Sequence, residues 1–322
     1  MPVSLRILFP GFFTTVQDLG RVWYESQGVP VSGAMDGFAL QAANALVGNP
    51  PGAAGLEFAL QGPSLRLEQA GREPVLVALA GCGFTLAVDG RPIPAWMAAL
   101  ARPGESIELN ATGRGGWGYL ALTGGLDVPP VLGSRSTYVR GGLGGWQGRA
   151  LQSGDVLPLG VPEANAYSRL SILEWAGRSL PPERRPPYAE NPLVGVVLAT
   201  NEPGGLFTAE AFAAFFAGEY TLTSAADRMG YRFAGPRLSH RSGADILSEG
   251  IPLGAVQVPG DGQPIVLLAD RQTTGGYTRI ATVTSASLPL LVQTPVGGRV
   301  RFHPVSVAEA QRRYRALMAG LS

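Results

Sequence analysis

Glycine and proline punctuate this chain from end to end. Its 45 glycines and 27 prolines make up more than a fifth of 322 residues, against roughly 12% in an average protein. They fall between short apolar runs rather than in one tract, so few segments are long enough for a helix before a breaker interrupts them. Short strands joined by turns satisfy that spacing, and the chain reads as mainly β. Residues 75–80, 84–88, 117–123, 193–200, 265–269, 279–284 and 298–302 have strand length and β-branched or aromatic content. Between the second and its successor, Asp89-Gly90 suits the positive dihedrals of a two-residue type I′ hairpin.

Helices are few. One is predicted from Asp36 to Gly48, with Asp36 as its cap, and a second from a Thr208 cap to Gly218. A third closes the chain up to Gly320, where Ser306 and Glu309 have the spacing of a reciprocal capping box. A chain of 322 residues exceeds what one hydrophobic core usually organises. The segment 177–192, dense in proline and charge, reads as a linker between domains spanning 1–180 and 193–322.

Composition removes several classes of function. Hydrophobic residues at 45% and charged residues at 15% describe a folded globular chain. The 25 basic residues balance 24 acidic ones, so no electrostatic stripe invites nucleic acid. No stretch approaches the roughly 20 apolar residues of a membrane span, and the N-terminus lacks an apolar signal core, which together predict no membrane association and a cytoplasmic location. Cys82 has no partner for a disulfide, and with only His240 and His303 beside it no zinc site is expected. Cys82 reads as a small buried hydrophobe, and the two histidines as surface or edge residues outside any hydrolytic triad. All 25 basic side chains are arginine. Without lysine the chain holds no Schiff-base amine, no Walker-type phosphate lysine and no biotin attachment point.

Polar side chains concentrate in four stretches. TTVQDLGR (14–21), followed by residues 28–49, places Gln17, Asp18 and Arg21 in glycine-punctuated loops; an ordinary Asp18–Arg21 ion pair and a loop contact from Asn44 would also account for part of it. In residues 133–155, Ser134, Arg135, Ser136, Thr137 and Tyr138 stand in a glycine-rich run, a combination that suits a carboxylated or phosphorylated ligand and equally a plain hairpin loop. ADRMGYR (226–232) contributes Arg228 and Tyr231. Residues 254–283 carry Gln257, Asp261, Gln263, Asp270, Arg271, Gln272, Thr273, Thr274, Gly275, Gly276 and Tyr277 at the ends of apolar runs, where side chains converge on a barrel mouth. A buried Asp270–Arg271 pair holding a corner is the structural alternative.

TTVQDLGR, VPVSGAMD, VLGSRSTY, DRMGYR and GAVQVPGDGQPIVLLADRQTTGGY, in this order, resemble the carboxyltransferase-domain family that includes the C subunit of 5-oxoprolinase, allophanate hydrolase subunit 2 and part of urea carboxylase. The resemblance covers nearly the whole chain. It implies two cyclophilin-like β-barrel domains and ATP-dependent opening of 5-oxo-L-proline to L-glutamate in a complex with the B and A subunits of 5-oxoprolinase. ATP with magnesium is implied as cofactor by the resemblance alone. An unactivated lactam resists water, and phosphorylating its oxygen makes it hydrolysable, so a site must stabilise phosphate and oxyanion charge. Asp270, Arg271, Arg135 and Asp261 are the catalytic candidates under that reading, with Arg228 as a further cation. Ser134, Ser136, Thr273 and Thr274 would donate hydrogen bonds, and Asp270 or Asp261 would orient water or hold magnesium. The family also admits the carboxyltransferase half of a biotin-dependent urea carboxylase, and a non-enzymatic partner of the B subunit resembling antagonists of a sporulation-kinase inhibitor. Allophanate hydrolysis itself needs an amidase lysine, and this chain has none.

Overall fold

A computed structural model describes residues 3–68, 73–162, 169–199 and 205–321. The chain divides into two compact units: residues up to Arg21 and from Ser32 to Arg185 form the first, and residues 22–31 and 186–320 the second. The division after Arg185 falls within 177–192. The first part of that segment is structured, since Ala98 donates its N–H to the carbonyl of Arg178 and Leu180 donates to Trp96.

Strands of the first unit are β1 (Ser4–Phe9), β2 (Phe13–Gln17), β3 (Gly55–Ala59), β4 (Ser64–Glu68), β5 (Val75–Gly81), β6 (Phe84–Val88), β7 (Arg91–Ile93), β8 (Ala98–Ala101), β9 (Ser106–Ala111), β10 (Trp117–Leu122) and β11 (Val156–Pro158). They make a six-stranded sheet, ordered β11-β1-β4-β9-β6-β7, and a five-stranded sheet, ordered β2-β3-β10-β5-β8. Leu5, Ile7, Leu65, Leu86 and Ile107 from the first sheet pack with Leu56, Phe58, Val77, Leu79 and Leu120 from the second in one core. Helix α1 (Gly37–Leu46) packs against β5 and β10. Alternate residues of β5 enter the core between the sheets, and Leu76, Ala78 and Ala80 are buried as well. Burial of both faces explains why VLVALA is an unbroken apolar run rather than an alternating one. Asp36 caps α1 as expected, accepting from Ala39 N–H at 3.0 Å. Asp89 and Gly90, with φ of 48° and 72°, turn β6 into β7.

The second unit holds a closed barrel. Its strands are β12 (Leu193–Leu198), β13 (Tyr220–Leu222), β14 (Gly230–Ala234), β16 (Ala255–Gln257), β17 (Ile265–Leu267), β19 (Arg279–Val283) and β20 (Arg299–Pro304), while β15 (Asp245–Gly250) and β18 (Thr274–Tyr277) pair as a separate two-stranded ribbon. The ring closes through parallel β12 and β20, with all other barrel pairs antiparallel. Phe302 and Phe215 stack at 4.7 Å, and Tyr220 and Phe233 surround the same ring. Helices α2 (Arg169–Trp175), α3 (Ala209–Ala217), α4 (Leu288–Val292) and α5 (Val307–Ala319) complete the elements. Thr208 caps α3 as expected. The capping box of α5 is half formed: Ser306 accepts from Glu309 N–H, but the Glu309 carboxylate turns along the helix to Arg312 and Arg313, a stronger charged partner than a backbone amide.

Phe302 is 1% exposed. Replacing it by Ala should cost about 3–5 kcal/mol, the range for deleting a buried ring, and urea unfolding followed by near-ultraviolet circular dichroism should show the loss.

Candidate functional site

The four polar stretches settle into separate constellations within the two units. In the first unit the chain leaves β2 at Gln17 and meets residues 134–137, more than a hundred positions later. Asp18 is the hub. Its carboxylate accepts from Ser134 Oγ at 2.7 Å, from Ser136 Oγ, from Gly20 N–H at 2.8 Å and from Arg135 N–H at 2.6 Å. Asp18 therefore spends itself on the serines rather than on an ion pair with Arg21. Buried Arg21 donates to the carbonyl of Ser136, and a side chain at Gly144 would collide with both groups, which is why glycine stands there. Gln17 donates to the Thr137 carbonyl at 3.1 Å, and Thr137 Oγ1 donates to Val16 at 2.9 Å. Tyr138 pairs through its backbone with Leu143. Arg135 is also occupied: Nε donates to the carbonyl of Val128 at 2.8 Å and Nη2 reaches Asp127 at 2.9 Å. The set is a latch joining two distant loops.

A second buried cluster escaped sequence reading. Glu57 on β3 and Tyr119 on β10 are direct cross-strand partners, and both are fully buried. Tyr119 Oη donates to Glu57 at 2.8 Å and accepts from Asp36 N–H at 2.7 Å, while Glu57 accepts from Met35 N–H at 2.7 Å. Burial, with Glu57 alongside, holds the Tyr119 phenol protonated far above its ordinary range. The only signal was a glutamate between leucine and phenylalanine inside a strand. Asn44 meets its neighbouring loop as expected, donating to the Ala53 carbonyl at 2.8 Å. Cys82 has its thiol pushed up to about 12 by burial, with Asp36 adding to the effect, and so remains protonated.

In the second unit Arg228 precedes β14 and Asp270 follows β17. These antiparallel strands bring the two together: Arg228 Nε donates to Oδ2 at 2.9 Å and Nη2 to Oδ1 at 3.0 Å. This corrects the expected corner, because Asp270 is paired with Arg228 and not with Arg271. Arg271 instead donates from Nε to the carbonyl of Ile251 at 2.9 Å and from Nη1 to Leu268 at 3.4 Å. It is 8% exposed and forms no ion pair among the described residues. Burial lowers its pKa, partly opposed by the charge of Glu25.

Ile251 also joins Arg271 to the root of the ribbon, since its N–H donates to Thr273. Around Gly275 the amides of Gln257 and Gln272 draw close; Gln257 is buried and Gln272 exposed. Thr274, Gly276 and Tyr277 belong to the ribbon itself. Tyr231 Oη donates to the Val292 carbonyl at 2.9 Å, a packing role. Asp261 and Gln263 do not join Arg271. They lie in the turn between β16 and β17, where Gln263 accepts from Gly235 N–H, at the end of the β14–β17 ladder opposite Arg228. Five strand residues separate those ends, roughly 17 Å. Asp261 is thus removed from Asp270 and Arg271 by the barrel's own strand length. His240, half-buried, takes no part in either set; its ring nitrogen meets the Val258 carbonyl at 3.0 Å. Burial lowers the pKa of His303, and the charge of neighbouring Arg313 adds to the effect.

The mainly β architecture with a seven-stranded barrel places the protein in a class, and comparison gives the class its name. The chain belongs to the carboxyltransferase domain family, subdomains A and B, whose model matches residues 27–304. It is 37% identical to the C subunit of 5-oxoprolinase from Escherichia coli (strain K12) over 96% of both chains. The crystal structure of TTHA0988 superposes with a TM-score of 0.80 at 36% identity, over 94% of this chain and 55% of that one. The K. lactis urea amidolyase gives a TM-score of 0.90 at 29% identity over 100% of this chain. This chain spans about half of TTHA0988 and 20% of the amidolyase chain. No helix among the described residues is long and apolar enough to cross a membrane.

Asp270→Asn should remove the carboxylate to which two nitrogens of buried Arg228 donate, costing about 3–5 kcal/mol. Replacing both residues by apolar side chains of similar volume should cost less, and a urea-denaturation cycle of the two single variants and the double variant measures the difference.

Proposed function

We propose that this protein is the C subunit of an ATP-dependent 5-oxoprolinase, acting with the B and A subunits to open 5-oxo-L-proline to L-glutamate in the cytoplasm. The observation that carries the reading is Arg271. It is a guanidinium buried beside a barrel strand with no ion pair among the described residues, bonded to the carbonyl of Ile251, on a chain 37% identical to the C subunit of a 5-oxoprolinase over 96% of its length. Buried charges without partners are costly, so a site that keeps one is suited to an anionic ligand. Of the three arginines nominated from sequence, Arg135 and Arg228 are held by Asp127 and Asp270, which leaves Arg271 for electrostatic work.

The overall reaction consumes the lactam, ATP and water, and releases glutamate, ADP and phosphate. Phosphorylating the lactam oxygen makes the ring carbon open to water. The chain's own contribution under this reading is to bind and orient, since it has no lysine and its one cysteine stays protonated. A second reading, a carboxyltransferase component acting on a urea-like amide, is favoured by the TM-score of 0.90 to urea amidolyase. Both substrates present an amide to the same arginine and glutamine types.

5-Oxoproline-dependent ATP hydrolysis and glutamate release should appear when this chain is mixed with its A and B subunits, and fall to background when it is left out. A stable complex with the B subunit and no turnover on 5-oxoproline would transfer the assignment to the urea-type or the regulatory reading.

A further inference from the structure

Arg228 and Arg279, two other arginines of the second unit, lie near carboxylates. Arg228 is neutralised by Asp270 through two hydrogen bonds. Arg279 lies 3.5 Å from Glu249, and Glu249 stands opposite Gly275 in the ribbon. Glu25 adds a negative charge close enough to be felt at Arg271. Arg271 forms no ion pair among the described residues, and half of its guanidinium is already committed. Nε is bound to the Ile251 carbonyl and one Nη1 hydrogen points at Leu268. Nη2 has no acceptor among the described residues, so the free edge runs along Nη1 and Nη2. That edge is a two-pronged fork that matches the two oxygens of one carboxylate.

A nucleotide makes different demands. Its triphosphate carries about three to four negative charges at neutral pH, and protein sites meet them with a lysine or arginine cluster, a glycine-rich loop at a helix start and carboxylates that hold magnesium. This chain has no lysine. No group of three or more His, Cys, Asp or Glu among the described residues could hold a metal ion. Asp270 gives both oxygens to Arg228, and Asp261 turns its Oδ1 to Gln263 N–H at the other end of the strand ladder. These residues do not fit ATP with magnesium.

We infer that Arg271, joined through Ile251 to the ribbon turn at Gly275 where the Gln257 and Gln272 amides lie, receives the single carboxylate of a small amide-bearing substrate, and that the nucleotide is held by another chain of the complex. This rests on the 5-oxoprolinase reading for the identity of the substrate, but not for the class of group bound. The ribbon turn itself is closely packed: a Cβ on Gly275 would lie 2.5 Å from Ile251 Cδ1 and 3.1 Å from Gln257 Nε2. Neutral amide donors add hydrogen bonds to a small polar ring without adding charge.

Calorimetric titration of the full chain tests this with 5-oxoproline, with 2-pyrrolidinone, which is the same lactam without its carboxylate, with acetate, and with ATP and magnesium. 5-Oxoproline should bind, 2-pyrrolidinone should bind at least tenfold more weakly, and ATP should neither bind nor compete. Arg271→Gln should weaken 5-oxoproline roughly 10- to 150-fold, the range for losing hydrogen bonds to a charged group. Arg271→Lys retains the charge without the fork and should fall between the two, and its melting curve shows whether the barrel is intact. If 5-oxoproline fails but acetate binds in an Arg271-dependent way, the carboxylate site stands and the 5-oxoprolinase reading loses its substrate. If no carboxylate depends on Arg271, or if ATP binds this chain and is lost in Arg271→Gln, the inference is wrong whatever the assembled complex does.

Discussion

Burial of the five-stranded sheet on both faces constrains the rest of the first unit. Its inner face supplies Leu56, Phe58, Val77, Leu79 and Leu120 to the core, and α1 packs against β5 and β10. A polar residue at the covered centre of this sheet has no route to water, so it must find a partner where it stands. Glu57 and Tyr119 do so across strands, and the backbone N–H groups they satisfy belong to Met35 and Asp36, at the start of α1. The entry of α1 is thereby tied to the sheet, and the apolar packing and the loop conformation depend on the same pair.

Charge is managed within the same limit. With arginine as its sole basic side chain, the chain has cations that cannot be discharged by deprotonation, so each buried one needs acceptors. Arg228 finds Asp270. Arg271 finds two carbonyls and keeps its charge without an ion pair among the described residues. The difference between the two defines structure at one and opportunity for a ligand at the other. Asp18 shows the same economy for anions: one carboxylate collects two hydroxyls and two backbone amides and so holds together loops far apart in sequence.

Much of the local structure was legible from residues alone. The strands at 75–81, 84–88 and 117–122, the Asp89-Gly90 turn and the caps at Asp36, Thr208 and Ser306 follow from propensity, period and capping chemistry, all of which act over a few neighbouring residues. The short exposed ribbon strand β15, with Leu247 at 95% exposure, was not legible, because nothing in DILSEG alternates against a core. Nor was the early part of the presumed linker, whose backbone pairs with β8 despite its proline and charge.

The sequence by itself determined the class of structure and the residue types available for chemistry: turn-separated strands, arginine without lysine, one cysteine and two histidines. It also marked the four stretches where polar groups gather. Only the tertiary structure decided which of those groups are spent on one another. Asp270 could have paired with the adjacent Arg271, and spacing gave no reason to prefer Arg228 some forty positions earlier. The antiparallel register of β14 and β17 made that choice by bringing Arg228 and Asp270 to the same end of the ladder, while it carried Asp261 to the other. Pairing between strands is set by which faces must be buried together, a long-range condition that local sequence does not record.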